Sequence, residues 1–129
     1  MAMDENSSVA QRFFAAAAQG DADQLRALCA PGFEARRNGG PPAGIDALIA
    51  VSAAIRAVAP DFRYEHAVRS ATATGFVEEH EVRCTLPDGT PLHLSVCVVG
   101  EVVAGKVSAL REYLDTAAAA RLGKALHGR

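Results

Sequence analysis

The chain has 129 residues, 50% of them hydrophobic and 22% charged, with a formal net charge of -2. That length supports one domain with a single core, and the composition excludes a disordered chain. The near-neutral, interspersed charge gives no electrostatic reason to bind nucleic acid or an anionic membrane. The apolar-rich stretch Gly89–Gly100 falls short of the about 18 residues a membrane span needs, and MAMDENSS carries acids where a secretory signal would carry cations. The expected location is therefore the cytoplasm. Cys29, Cys84 and Cys97 lack CxxC spacing and read as reduced thiols, so neither a metal nor another cofactor is expected.

Residues 1–7 are expected to be a loose N-terminus. SSVAQRFFAAAAQG follows as a first helix, with Ser8 and Gln11 as a capping box and Gly20 as its stop. DADQLRALCAPG repeats that grammar with Asp21 as N-cap and Pro31 as terminator. FEARRN reads as a short extended segment and GGPPAG as a loop. IDALIAVSAAIRAVAP resumes a helical period until Pro60. After Pro60 the period falls to two, through DFRYEHAVRS, GFVEEHEVRCTL, PLHLSVCVV and GKVSALREYLD. An Ala-rich helix over 116–127, capped by Asp115 or Thr116, closes the chain. Helices first and strands second predict an α+β domain over 1–129, built on an antiparallel sheet.

The turns set the expected faces. A two-residue loop at Asp88-Gly89 would place Cys84 opposite His93 and His80 opposite Cys97. A loop at Ala104-Gly105 would place Cys97 opposite Glu112. His80, Cys97 and Glu112 then form a row on one face, together with His93, Leu110 and Leu114. The other face would carry Leu92, Leu94, Val96 and Val98, an aliphatic stripe that a sheet-mediated homodimer would cover. A one-residue slip in either turn would exchange the faces.

VAQRFFAAAAQGDADQLRALCAPGF near the start and GKVSALREYLDTA near the end resemble the nuclear-transport-factor-2-like superfamily, most of all its SnoaL-like and ketosteroid-isomerase-like proteins. The resemblance runs from about Val9 to Ala120. It implies a curved antiparallel sheet wrapped around the N-terminal helices as a cone with one apolar pocket, commonly in a homodimer. It also implies that Phe13, Arg37 and Cys97 stand where the steroid isomerase has its oxyanion tyrosine, its general-base aspartate and its protonated aspartic acid. All three groups differ, so steroid isomerisation by that route is not expected.

The chemistry expected is acid/base catalysis on a small hydrophobic molecule, of isomerase, cyclase, dehydratase or epoxide-hydrolase type. Glu112, a carboxylate between Leu110 and Leu114, is the candidate base or acid, and His80 the assisting imidazole. Arg37 is a forked donor for a developing negative charge or a partner for Glu112. His93, Cys97, Phe13, Leu110 and Leu114 complete the expected substrate-binding set. The rival expectation is a non-catalytic ligand-binding or dimeric accessory domain, in which the same groups only orient a ligand.

Overall fold

The computed structural model describes residues 2–128, the side chains of residues 2 and 3 excepted. Helix α1 spans Ala2–Gln19, so the expected loose N-terminus is instead the first turns of a helix that begins ahead of Ser8. Helix α2, Ala22–Leu28, starts as read: the Asp21 carboxylate accepts from the Gln24 amide at 3.1 Å. Strand β1 covers Cys29–Arg37 and α3 covers Ile45–Val58, ending before Pro60. Strands β2 (Arg63–Ala71), β3 (Gly75–Thr85), β4 (Pro91–Val103) and β5 (Lys106–Leu114) follow. Helix α4, Thr116–His127, is capped by Asp115, whose carboxylate accepts from the Ala117 amide at 2.9 Å.

The five strands form one open sheet in the order β1-β5-β4-β3-β2. Four make the expected antiparallel meander. β1 adds to its edge in parallel with β5, aligning Arg37 with Glu112. The helices cover one face, and the core lies between them and the sheet, from Val9, Phe13 and Leu25 to Phe76, Val98 and Val107.

The β3–β4 turn departs from the expected register. Leu86 and Thr90 pair through a 2.8 Å bond, leaving Pro87, Asp88 and Gly89 as a three-residue loop. Pro87 has no amide to give to a ladder, and its fixed φ suits the first corner of a type I turn. Gly89, at φ 87°, supplies the left-handed residue that closes such a loop. Arg83 therefore faces His93, and His80 faces Val96 instead of Cys97. The β4–β5 turn at Ala104-Gly105 forms as expected, but a bulge beyond Glu101 shifts the pairing so that Glu112 faces Val98.

Two slips of one residue turn over β4 alone. His80 and Glu112 keep the inner face, whereas Cys97 and His93 move to the outer one, and the expected three-residue row does not form. Burial energy explains the outcome. Leu92, Leu94, Val96 and Val98 are all buried against the helices, at about 1.5–3 kcal/mol each relative to exposure. No arrangement with Cys97, Ser95 and His93 inside could match that. The apolar stripe that argued for a sheet-mediated dimer is thus interior. The outer face carries Glu79, Glu81, Arg83 and His93, with Val68 and Tyr113 among its large exposed apolar side chains.

Candidate functional site

A cavity of about 120 Å³ lies between the inner face of the sheet and the helices. Ala17 of α1, Leu48, Ser52 and Ile55 of α3, and Leu122 of α4 form its helical wall. The sheet contributes Tyr64, Val82, Leu94, Val96, Glu112 and Leu114. Period-two alternation on β2 through β5 brings these side chains to one side. The wall is apolar except at four places, and those four define its chemistry.

Arg37 and Glu112 sit together because parallel pairing of β1 with β5 aligns them. The Arg37 Nε donates to Glu112 Oε1 at 3.0 Å, with the side chains 59% and 33% exposed. This places the pair at the cavity's rim, where water still screens it. Of the two roles expected of Arg37, partnership with Glu112 is the one it fills here. Ser52, buried on α3, donates its hydroxyl to the Ala17 carbonyl at 2.8 Å, which commits its proton. The fourth group is Tyr64. Burial, with the charges of Glu112 and Glu78 nearby, pushes its phenol ionisation upward, so the hydroxyl stays protonated and remains a donor.

Behind Tyr64 lies a second polar group. Glu78 is fully buried; one carboxylate oxygen accepts from Arg69 Nε at 2.6 Å, and the other accepts from His80 Nδ1 at 2.6 Å. A buried carboxylate needs such partners, and here both its oxygens are engaged. The His80 ring stacks on Tyr64 with centroids 4.3 Å apart and meets the edge of Phe14 at 5.1 Å. His80 is 4% exposed and does not line the cavity. It supports the ring of Tyr64 from behind.

Of the residues singled out in the sequence, Arg37, Glu112 and Leu114 line the cavity. Phe13 is 2% exposed, packed on Phe14 and Phe33, and Leu110 is likewise buried in the core away from the cavity. On the outer face, the Glu81 carboxylate is held by both His66 and His93, which lowers its pKa to about 2. Cys97 lies in a shallow hollow on that same face with Ser95 and Tyr113. Tyr64 and Ser52 were missed. The alternation of Phe62 and Tyr64 in DFRY was the available signal, since both turn out to line the cavity.

Two further hollows open on the surface. One of about 530 Å³ lies between α4 and the β3–β4 hairpin, and one of about 800 Å³ between β1 and the start of α3. Their carboxylates are occupied: Asp88 caps Thr90, and Asp46 pairs with Arg26 at 2.8 Å. Among the described residues, no three His, Cys, Asp or Glu side chains converge as a metal-binding set. No helix among them is long and apolar enough to cross a membrane.

The sequence pattern of the SnoaL-like domain matches residues 10–110. Among curated proteins no sequence matches. Solved structures with the same fold are many. A candidate polyketide cyclase of Xanthomonas campestris superposes with a TM-score of 0.81 at 16% identity, over 97% of this chain and 99% of that one. An LEH-like epoxide hydrolase of M. tuberculosis gives a TM-score of 0.74 at 16% identity, over 99% and 93%. A nuclear-transport-factor-2-like protein of Burkholderia xenovorans gives 0.76 at 25% identity, over 93% and 96%.

Proposed function

Starting from the fact that the chain belongs to the SnoaL-like family within the nuclear-transport-factor-2-like superfamily, we propose that it is an enzyme of acid/base chemistry on a small, hydrophobic, neutral organic molecule. The observation that carries this reading is a carboxylate and a protonated phenol on the wall of one predominantly apolar cavity. Fold alone hosts many activities, so the argument rests on these groups.

In the proposed reaction Glu112 removes a proton from carbon beside a carbonyl, and Tyr64 donates a hydrogen bond to the oxygen on which negative charge develops. Arg37 holds the Glu112 carboxylate in position through Nε. The proton taken by Glu112 is returned at another carbon, which gives isomerisation, or accompanies ring closure or loss of water. These steps need no cofactor. The solved epoxide hydrolase of the same fold suggests a variant in which Glu112 deprotonates water. The water oxygen bonds an epoxide carbon as that carbon's bond to the ring oxygen breaks, and the Glu112 proton then neutralises the alkoxide that Tyr64 hydrogen-bonds. His80, which the sequence suggested as an assisting base, acts in this reading only through Tyr64.

A screen of neutral cyclic ketones and epoxides tests the proposal. The wild type should turn over at least one, and Glu112→Gln should lose about 100-fold or more of that rate with its melting temperature unchanged. Turnover undiminished in the variant would refute the role of Glu112. Saturable binding with no turnover of any candidate would favour the ligand-binding module instead.

A further inference from the structure

We infer that the substrate of this cavity is a neutral one-ring molecule bearing a hydrogen-bond-accepting oxygen, and that fused polycyclic molecules are shut out. The inference takes the cavity as the site, as proposed above. Its first support is size. An apolar cavity of about 150 Å³ accommodates benzene, and pockets for drug-sized ligands run to about 300–1,000 Å³. At about 120 Å³ this cavity holds one small ring, with room to spare only toward the rim.

The walls on the sheet and α4 sides do not yield easily. Phe62, Leu94 and Leu122 are each less than a tenth exposed, so moving them outward would displace a packed core. Ala17 and Ser52 are tied together by the hydroxyl–carbonyl bond that ties α3 to α1. Widening the cavity on that side would break this half-buried hydrogen bond.

Polarity supplies the second support. The Ser52 proton is already committed, and the Arg37 guanidinium is engaged with Glu112 at the exposed rim, which leaves the Tyr64 hydroxyl as the donor on the inner wall. A ligand oxygen that accepts from Tyr64 replaces a bond the phenol otherwise lacks among the described residues. A carboxylate ligand there would have to share the Arg37 guanidinium with Glu112, leaving net negative charge in a partly dry site, which is costly. A ketone or epoxide oxygen meets both conditions.

Methyl-detected NMR titration tests this with cyclohexenone, decalone and a four-ring steroid ketone. Cyclohexenone should shift the methyl signals of Ile55, Leu94 and Leu122 saturably. Decalone should bind at least about tenfold more weakly, and the four-ring ketone should leave those methyls unmoved up to its solubility. Tyr64→Phe should weaken cyclohexenone about tenfold and leave cyclohexene, which has no oxygen, unchanged. Ala17→Leu, which fills the cavity from a helix that tolerates leucine, should abolish cyclohexenone binding while the spectrum stays folded. The inference is overturned if the four-ring ketone moves these methyls as tightly as cyclohexenone, if Ala17→Leu binds normally, or if no ketone binds. All readouts are of binding, so a catalytically unimpaired Glu112→Gln would sink the proton-transfer reading and leave this one standing.

Discussion

Replacing Gly100 with alanine should destabilise the centre of the sheet, and the structure says why. Gly100 lies on β4 directly opposite Phe76 of β3 and Leu110 of β5. An added Cβ would fall 2.2 Å from the Phe76 Cζ and 2.4 Å from its Cε2. Carbon atoms rest at about 3.7 Å, so the ring would have to retreat by about 1.5 Å. It has nowhere to go. Phe76 is fully buried, and the Phe14 ring meets it edge-on at a centroid distance of 6.0 Å. Overpacking of this kind costs about 1–3 kcal/mol. Urea unfolding followed by circular dichroism should show that loss as a lower midpoint at an unchanged slope. Phe76→Leu in the Gly100→Ala background should recover part of it, giving a coupling of about 1 kcal/mol between the two sites. If Gly100→Ala unfolds within about 0.5 kcal/mol of wild type, or if the two changes simply add, the close approach described here is wrong.

Three further outcomes follow. Arg37→Ala should cost less than about 1 kcal/mol, because its ion pair with Glu112 is half exposed, yet it should lower turnover. Arg69→Ala, which leaves the fully buried Glu78 without its cation, should cost about 3 kcal/mol or more in the same unfolding assay. On the outer face, His66 and His93 depress Glu81 from an ordinary 4.5 to about 2. A depressed carboxylate stabilises the fold above its unfolded pKa and loses that contribution as pH falls through the folded one. Thermal melts between about pH 4.5 and pH 2 should therefore fall more steeply for the wild type than for Glu81→Gln, and equal slopes would contradict the pairing.

What the chain made legible depended on how local the determining physics was. Asp21 and Asp115 were readable as caps because a side chain and an amide two or three residues away settle the matter. Alternation grouped the residues of β3 and of β5 into faces, but His80 and Glu112 came out on the same side only because the two register slips, one on each flank of β4, cancel. The face of β4 was not readable that way. It turned on whether Pro87 joined the ladder or the loop, and on a bulge near Ser108 that no turn residue announces. The burial demand of Leu92, Leu94, Val96 and Val98 was the better guide, and it pointed inward.

The remaining pieces of the site are products of distant pairing. Arg37 reaches Glu112 only because β1 adds in parallel to β5, seventy-five positions away in the chain. Tyr64 reaches the cavity from β2, where a bulge after Glu65 and His66 at φ 54° end the alternation that Phe62 and Tyr64 begin, so those two residues alone mark the inward side. The Arg69–Glu78–His80 group likewise needs that bulge to bring Arg69 alongside Glu78.

The most direct measurement is exchange of the α-protons of cyclohexenone in deuterated water, followed by NMR at neutral pH. The account predicts that wild-type protein speeds exchange well above the buffer rate, and that folded Glu112→Gln returns it to that rate. Exchange equally fast in the variant, or no acceleration by the wild type although cyclohexenone occupies the cavity, would contradict it.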